Sequence, residues 1–261
     1  MERPRLQLFE FNDAPWAPVP LREAIVEALS RTLRWGRVLD RLADPFRAFL
    51  DECGADEVLD LCAGAGGPAA ILARALARDG RRVPRFLLTD LQPHPEEWAR
   101  LRDELPDAVD FIAEPVDATA IPAGLGEGRA RVIINALHHF PPSLAGEILR
   151  GACVRSPGVF VSEAFERRLT GVAPIALAGI PALYATPLLS PRRRLEKALL
   201  TWAAPIALLA SVWDGLVSTM RVYSEAELRA MVAPVEGYRW TYGRYRFPAG
   251  GVGYYFYGIR A

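Results

Sequence analysis

The segment from Glu57 to Ala69 limits the fold of this chain more than any other. Residues 57–61, Glu-Val-Leu-Asp-Leu, have the length and apolar content of a buried strand. Glycines at 64, 66 and 67 follow, and an alanine-rich stretch at about 68–79 has the composition of a helix. Glycine lets the backbone turn sharply and approach a ligand without an intervening Cβ. The segment therefore predicts a strand, a ligand-binding turn and a helix.

The same alternation continues along the chain. Further strands are predicted at 85–90, 109–113, 131–135 and 158–162, with helices at about 95–105 and 142–152. Strands separated by helices form parallel sheets, so we predict an α/β fold with a doubly wound, Rossmann-like and mostly parallel sheet. Two aromatic runs, 238–247 and 253–260, are separated by Pro-Ala-Gly-Gly and predict a C-terminal antiparallel hairpin.

The flanking regions suggest four parts. Helical patterns at 20–35 and 37–52, the second broken near Pro45, predict an N-terminal helical cap over 1–54. The ligand-binding core covers 55–164. An apolar helical insertion after the fifth strand, a lid, covers 165–222. Residues 223–261 complete the core with a helix, which begins at a capping box on Ser224, and with the hairpin.

The glycine turn is compatible with two ligand classes. Gly64-x-Gly66-x-x-Ala69 matches the dinucleotide fingerprint, and Asp90 follows 21 residues beyond Ala69, as a ribose-binding acid would. Asp60 opposes a dinucleotide, because a carboxylate at the strand end repels a pyrophosphate. The same carboxylate suits a ligand that carries an ammonium and a sulfonium but no phosphate. We therefore predict S-adenosyl-L-methionine as the cofactor.

Four spaced motifs resemble the class I S-adenosylmethionine-dependent methyltransferases: LDLCAGAGG (59–67), TD (89–90), VDATAIP (116–122) and NALHHF (135–140). The resemblance covers about residues 55–165 well and the terminal hairpin loosely. Cys62 departs from it, because the family usually has a glycine there. A buried turn that uses glycine only for packing is the alternative. The resemblance implies cofactor contacts by Asp60, Gly64 and Gly66 on the amino-acid and ribose side, Asp90 and Leu91 near the ribose, Asp117 and Ala118 near the adenine, and Asn135 and Ala136 near the methionine portion.

Methyl transfer to a poor nucleophile needs alignment and a base. His139 follows the fourth strand, close to the expected methyl group, and is our predicted base. Glu163 follows the fifth strand and is predicted to orient or deprotonate the acceptor. The alternatives are that the histidine only packs near the cofactor, and that Glu163 is solvated or pairs with Arg167.

Four further residues are predicted to contact the acceptor: Trp16, His138, Trp213 and Asp214. Asp214 lies in an otherwise apolar insertion, where a carboxylate must be paired, cap a helix or face a cavity. We predict that the insertion covers the active-site mouth, with Trp213 and Asp214 facing the cavity. The N-terminal segment around Trp16 resembles the openings of some bacterial methyltransferase-like sequences, which also share a Trp-Asp-Gly in the insertion.

Composition excludes several classes of protein. Lys+Arg and Asp+Glu both number 31, so the basic excess of a nucleic-acid-binding protein is missing. Three scattered cysteines are too few for a disulfide framework or a zinc site, and no spacing predicts a metal site, so we expect a cytoplasmic protein. The stretches 169–191 and 198–213 carry no charge, but prolines interrupt both and Arg192, Arg193 and Arg194 lie between them. A lid or a segment that lies on a membrane is therefore predicted, rather than a span.

Together these patterns predict an enzyme, a methyltransferase that uses S-adenosylmethionine. Its acceptor is predicted to be a small hydrophobic or amphiphilic molecule, with oxygen as the favoured methylated atom. One alternative is a membrane-surface methyltransferase that acts on a lipid. The other is a protein that binds S-adenosylmethionine without methyl transfer. The sequence leaves the acceptor and the oligomeric state open.

Overall fold

The computed structural model of the chain describes residues 4–168, 172–248 and 250–261, and the side chains of 172–174 also lie outside the description. The chain divides into two compact units. The helical unit comprises Met1–Val38, Phe165–Tyr223 and Arg246–Val252. The sheet unit comprises Leu39–Ala164, Ser224–Tyr245 and Gly253–Ala261.

A seven-stranded sheet forms the sheet unit, in the spatial order β3-β2-β1-β4-β5-β7-β6. Its strands are β1 (Glu57–Leu61), β2 (Arg85–Thr89), β3 (Val109–Phe111), β4 (Ala130–Ile134), β5 (Gly158–Glu163), β6 (Tyr238–Arg246) and β7 (Val252–Arg260). The pairs from β3 through β5 are parallel, and β7 runs antiparallel to β5 with Phe160 opposite Tyr257. The structure confirms the predicted mostly parallel sheet with a C-terminal hairpin.

Ten α-helices lie in the described part of the chain: α1 (Val19–Trp35), α2 (Ala43–Cys53), α3 (Gly67–Arg78), α4 (Pro95–Glu104), α5 (Ala123–Gly126), α6 (Pro142–Cys153), α7 (Val172–Leu189), α8 (Arg194–Ala198), α9 (Ile206–Arg221) and α10 (Glu225–Val232). The capping box of α10 is formed, since the Ser224 hydroxyl and the Glu227 carboxylate each accept a main-chain N–H of the other residue. Pro45 does not break a helix. A 3₁₀ turn at Asp40–Leu42 precedes α2, and Pro45 lies in the first turn of α2, where a missing N–H costs no hydrogen bond.

Aromatic rings fill the core of the sheet unit. Phe46 and Phe49 of α2 pack on Phe160 of β5, with ring centroids 5.2 and 5.3 Å apart. Phe86 of β2 stacks on Phe46 at 5.8 Å. The strands β1, β4 and β5 are almost wholly buried, as central parallel strands covered on both faces must be. This core fixes the strand ends that carry the candidate site.

The helical unit packs α7 and α9 against α1. Its apolar core contains Leu21, Ile25 and Ala28 of α1, Leu183 of α7, and Ala207 and Ala210 of α9. A short π-helical segment, Leu199–Ala203, continues α8. Among the described residues no single helix has the length and apolar composition to cross a membrane. The segments Arg194–Ala203 and Ile206–Arg221 have that composition only together, and they are bent by 81°.

Candidate active site

The carboxyl edge of the sheet, where β1, β2, β4 and β5 end, gathers most of the predicted polar residues. Asp60 lies in β1, Asp90 directly follows β2, Asn135 follows β4 and Glu163 ends β5. Parallel strands place their carboxyl ends at one edge, and open α/β sheets bind ligands there. The alternation of strands and helices therefore brings together residues that are distant in sequence.

Gly64 and Gly66, in the turn after β1, have different structural roles. Both adopt positive φ, +52° at Gly64 and +78° at Gly66. A Cβ on Gly66 would lie only 2.7 Å from Leu101 Cδ1 and 2.9 Å from Leu88 Cδ1, so Gly66 is required for packing. A Cβ on Gly64 would meet no described atom within 4 Å. Gly64 therefore leaves open space at the turn, as close approach of a ligand requires.

Asp60 is a buried carboxylate with an unsatisfied oxygen. Its exposed fraction is 2%, and its Oδ2 has no hydrogen-bond partner in the part of the chain that the structure describes. Burial raises the pKa of the Asp60 carboxyl well above its usual range, and the charge of Asp90 raises it further. A buried polar atom without a partner is costly, so a cationic or hydrogen-bond-donating ligand would stabilise this oxygen.

Hydrogen bonds to Asp90 connect the turn after β1, the end of β2 and the loop after β3. Its Oδ2 accepts the Gly64 N–H at 2.9 Å and its Oδ1 accepts the Gln92 N–H at 2.9 Å. Its main-chain oxygen accepts the Val116 N–H at 2.9 Å, which brings the loop after β3 to the end of β2. A carboxylate oxygen can accept more than one hydrogen bond, so Asp90 retains capacity for a ligand hydroxyl.

The remaining predicted cofactor residues take varied positions. Asp117 is exposed, and hydrogen bonds from the Thr119 hydroxyl and main-chain N–H hold the pKa of its carboxyl below the usual value. Ala118 and Ala136 are buried, and Leu91 is exposed. Their contacts with a cofactor stay a prediction.

Cys62 and Asn135 both adopt positive φ, +61° and +55°, at strand ends of the carboxyl edge. Non-glycine residues rarely adopt this conformation, although asparagine tolerates it. Asn135 Oδ1 accepts the Ala164 N–H at 2.7 Å, which joins the ends of β4 and β5. Burial raises the pKa of the Cys62 thiol, and three nearby aspartates raise it further, so this cysteine stays a neutral thiol.

His138 and Glu163 form a buried pair. His138 Nδ1 lies 2.8 Å from Glu163 Oε2, and the His138 main-chain N–H donates to Glu163 Oε1 at 3.1 Å. Both side chains are almost fully buried. His139 is partly exposed, with its ring centroid 4.1 Å from that of His138. The sequence suggested His139 as the base and His138 as an acceptor contact, whereas the structure gives the carboxylate partner to His138.

Trp16, Trp213 and Asp214 meet in the helical unit. The Asp214 carboxylate accepts the main-chain N–H groups of Phe11 and Asn12 at 2.7 and 3.0 Å, and the Trp213 indole N–H donates to Phe9 O at 2.9 Å. Burial raises the pKa of the Asp214 carboxyl, and the two N–H donors oppose that shift. Asp214 thus anchors the N-terminal segment to α9.

Beside this anchor lies an apolar groove of about 300 Å³, which is lined by Phe9, Phe11, Ile206, Leu209, Ala210 and Trp213. The Phe9 ring lies 5.6 Å from that of Trp16 and 5.3 Å from that of Trp213. These contacts bring Trp16 and Trp213 to the same part of the helical unit. That either tryptophan or Asp214 contacts an acceptor stays a prediction.

Trp98 supports the site although the sequence patterns did not indicate it. It is fully buried, its indole N–H donates to Gly64 O at 2.8 Å, and it packs beneath Gly66. Trp98 therefore fixes the glycine turn from below. A signal was present in the sequence, because Trp98 is a large apolar residue in an otherwise charged helix, Pro-Glu-Glu-Trp-Ala-Arg.

Comparison with known proteins gives structural neighbours only. No family model matches the chain, and no curated protein matches it in sequence. Magnesium protoporphyrin IX methyltransferase from Synechocystis PCC 6803, solved with S-adenosylhomocysteine, shares 16% identity with a TM-score of 0.50, over 88% of this chain and 85% of that one. An assigned O-methyltransferase from Nostoc punctiforme PCC 73102 shares 15% identity with a TM-score of 0.52, over 98% of this chain and 64% of that one.

At such identities the likeness is one of fold, and it agrees with the prediction made from the four motifs. The chain has the Rossmann-like fold of the class I S-adenosylmethionine-dependent methyltransferases.

Proposed function

We propose that this chain is an S-adenosylmethionine-dependent methyltransferase that acts on a small apolar or amphiphilic molecule. The observation that carries the proposal is the buried, unsatisfied Oδ2 of Asp60 beside the open turn at Gly64. A dinucleotide would bring a pyrophosphate to this carboxylate. A ligand with an ammonium group instead supplies the missing partner and offsets the cost of burying the charge.

The residues at the carboxyl edge fit the parts of S-adenosylmethionine. Asp60 would take the ammonium group, Gly64 would let the ligand approach the backbone, and Asp90 would accept the ribose hydroxyls. By the family resemblance, Asp117 and Ala118 would lie near the adenine, and Asn135 and Ala136 near the methionine portion. The Synechocystis neighbour also binds this cofactor or its product in two separate structures, which supports the choice.

When bound, S-adenosylmethionine supplies a methyl group on a positively charged sulfur. The His138–Glu163 pair supports a base for a hydroxyl acceptor. A carboxylate at Nδ1 holds the ring proton there and places the imidazole lone pair on Nε2. His138 Nε2 would accept the hydroxyl proton as the acceptor oxygen forms its bond to the methyl carbon and the carbon–sulfur bond breaks to leave a neutral thioether. Glu163 would stabilise the resulting imidazolium. We therefore assign the base to His138, with His139 as the rival.

The apolar groove beside Trp213 supports an apolar acceptor. Its lining consists of aromatic and aliphatic side chains, and the neighbouring Asp214 carboxylate is already engaged by main-chain N–H groups. We propose Trp16 and Trp213 as acceptor contacts through their rings, with Asp214 as the residue that positions them. Oxygen is the proposed methylated atom, because only a protonated nucleophile such as a hydroxyl needs the buried base.

Calorimetry with S-adenosylmethionine, S-adenosylhomocysteine and NAD tests the cofactor. We expect binding of the first two in the micromolar range, about −8 kcal/mol, and no binding of NAD. NAD binding without S-adenosylmethionine binding would contradict the proposal. Transfer of a radiolabelled methyl group to a panel of phenols and hydroxylated apolar molecules then tests the reaction. Tight cofactor binding with no transfer to the panel or to a small-molecule cell extract would contradict methyl transfer while leaving the cofactor assignment intact.

A further inference from the structure

The helical segment formed by α8 and its π-helical continuation is inverted in polarity. Leu195, Leu199 and Trp202, spaced four and three residues apart, share one face and are 81%, 62% and 50% exposed. We call these three residues the outward apolar face. On the opposite side Lys197 and Thr201 are 0% and 1% exposed. A helix at a water-facing surface normally shows the reverse arrangement.

The inward Lys197 is held by a network of oxygen partners, whereas the inward Thr201 Oγ1 has no hydrogen-bond partner among the described residues. Lys197 Nζ lies 2.8 Å from Glu27 Oε1, 3.1 Å from Glu23 Oε2 and 2.6 Å from Ser190 Oγ. This network anchors the segment to α1 through the chain's one lysine. The anchor fixes which face of the segment points outward.

The outward apolar face continues onto α7. The Trp202 indole N–H donates to Tyr184 O at 3.1 Å, which joins the two elements. Tyr184 and Leu188, one turn apart on α7, are themselves exposed. Contiguous exposed apolar surface of this kind marks an interaction site. Its content of tryptophan, tyrosine and leucine is typical of segments that lie at a membrane interface.

The charged residues beside this apolar surface indicate which kind of binding partner it would favour. Arg192, Arg193 and Arg194 directly precede Leu195, and all three are exposed. Glu196 is the exposed carboxylate among them, and it lies 3.7 Å from Arg193. Glu23 lies 3.5 Å from Arg193 and 3.1 Å from Lys197, and Glu27 lies 2.8 Å from Lys197. The four basic residues Arg192, Arg193, Arg194 and Lys197 outnumber the three carboxylates of Glu23, Glu27 and Glu196, which leaves a net positive edge that complements anionic headgroups.

We propose that the outward apolar face, with its arginine edge, docks on the surface of a lipid bilayer that contains anionic headgroups. The leucines and Trp202 would enter the boundary between headgroups and acyl chains, and the arginines would contact phosphate groups. The bend of 81° between Arg194–Ala203 and Ile206–Arg221 suits a segment that lies on the surface. A second copy of the chain offers no complementary charge, because its edge carries the same arginines.

Vesicle co-sedimentation of the full chain tests this proposal without any activity measurement, so its outcome is separate from that of the methyltransferase proposal. We expect binding to vesicles of phosphatidylcholine mixed with phosphatidylglycerol, and clearly weaker binding to phosphatidylcholine alone. The double variant Leu195→Gln/Leu199→Gln should lower the partition coefficient by roughly tenfold or more. The matched control is Val154→Gln, which changes an apolar side chain that is 61% exposed in the sheet unit.

A second measurement tests the proposal without the double variant, in case that variant does not fold. Lipids with brominated acyl chains should quench the fluorescence of the native chain, and Trp202→Phe should remove most of that quenching, whereas Trp240→Phe should not. Absence of binding to the anionic vesicles would overturn the proposal, as would equal binding to both vesicle types. Unchanged quenching in Trp202→Phe would also overturn it. So would a concentration-dependent dimer that the double variant abolishes, since a second copy would then cover the face.

Discussion

Buried charges differ between the two units of this protein. In the sheet unit, the Asp60 carboxylate is buried with an oxygen that no described group satisfies. In the helical unit, the Lys197 ammonium is buried more completely and has three oxygen partners. Burying a charge is costly unless it is paired, so a paired charge is explained by the fold alone. A buried carboxylate without a hydrogen-bonded partner is not explained by the fold alone, and a ligand that donates hydrogen bonds would stabilise it.

The His138–Glu163 pair is the hardest test of that comparison, because it is buried and paired yet proposed to be catalytic. His138→Gln should lower kcat by about 10²- to 10⁴-fold, with S-adenosylmethionine affinity little changed, because the proton acceptor is lost. Stopped-time methyl-transfer assays measure this effect.

His139→Gln is the matched variant for that experiment, since its ring lies beside that of His138. A loss confined to His139→Gln would move the base back to the residue predicted from the sequence. A loss under tenfold in His138→Gln would leave the pair with a structural role only.

Asp60→Asn tests the unpaired charge directly. The variant should bind S-adenosylmethionine about 10- to 100-fold more weakly, because a charged hydrogen bond contributes about 1.5–3 kcal/mol. Calorimetry measures the loss. Asp117→Asn, at an exposed carboxylate that is predicted to lie near the adenine, is the control and should have the smaller effect. If Asp60→Asn and the native chain bind S-adenosylmethionine with equal affinity, the buried oxygen of Asp60 does not bind the cofactor.

The same carboxylate predicts a pH dependence of stability without ligand. Burial raises the pKa of Asp60 in the folded state above its value of about 3.9 in the unfolded chain. The protonated form therefore favours folding, and stability is lost as pH rises from that value through the raised one. Thermal unfolding between acidic and neutral pH should show the native chain losing stability relative to Asp60→Asn. A constant difference across this range would contradict the raised pKa.

The sheet unit was predictable because local patterns and global topology agree there. Strands β1 to β5 lie within two residues of their predicted bounds, since each is a short apolar run bounded by turn residues. The grouping of the polar residues at the carboxyl edge could be predicted from the topology alone. The pairing of His138 with Glu163 could not be predicted, because 25 residues separate them and only the register of β4 and β5 brings them together.

The helical unit was harder to predict for a physical reason. Residues 165–220 are apolar on nearly every side, so periodicity could indicate helices but not which face points inward. The sequence showed that Lys197 is unique, yet a lone lysine is normally exposed, and nothing local revealed Glu23, Glu27 and Ser190 as its partners. Asp214 was recognised as unusual, but its main-chain partners at Phe11 and Asn12 depend on tertiary folding.

Lys197→Met tests how much the paired ammonium group contributes to the free energy of unfolding. Loss of the ammonium leaves Glu23 and Glu27 facing each other, but both are partly exposed, so water screens much of the penalty. We expect the free energy of unfolding to fall by about 1–3 kcal/mol, with cofactor affinity unchanged. Chemical denaturation measures it. Arg193→Met is the control, because this exposed arginine lies 3.5 Å from Glu23 and such pairs contribute at most about 1 kcal/mol. A loss of cofactor binding in Lys197→Met at full stability would break the distinction between the two units.

Leu195→Lys, two residues away on the same segment, should have the smallest effect on stability. Leu195 is 81% exposed, so folding removes little of its surface from water, and a lysine there loses little solvation. We expect the free energy of unfolding to stay within about 0.5 kcal/mol of the native value, although the change places a charge where a leucine was. Chemical denaturation in the absence of lipid measures it. If Leu195→Lys instead destabilises the chain as much as Lys197→Met, the face of Leu195 is covered within the folded chain itself, and the inverted polarity of this segment then has no need of an external surface.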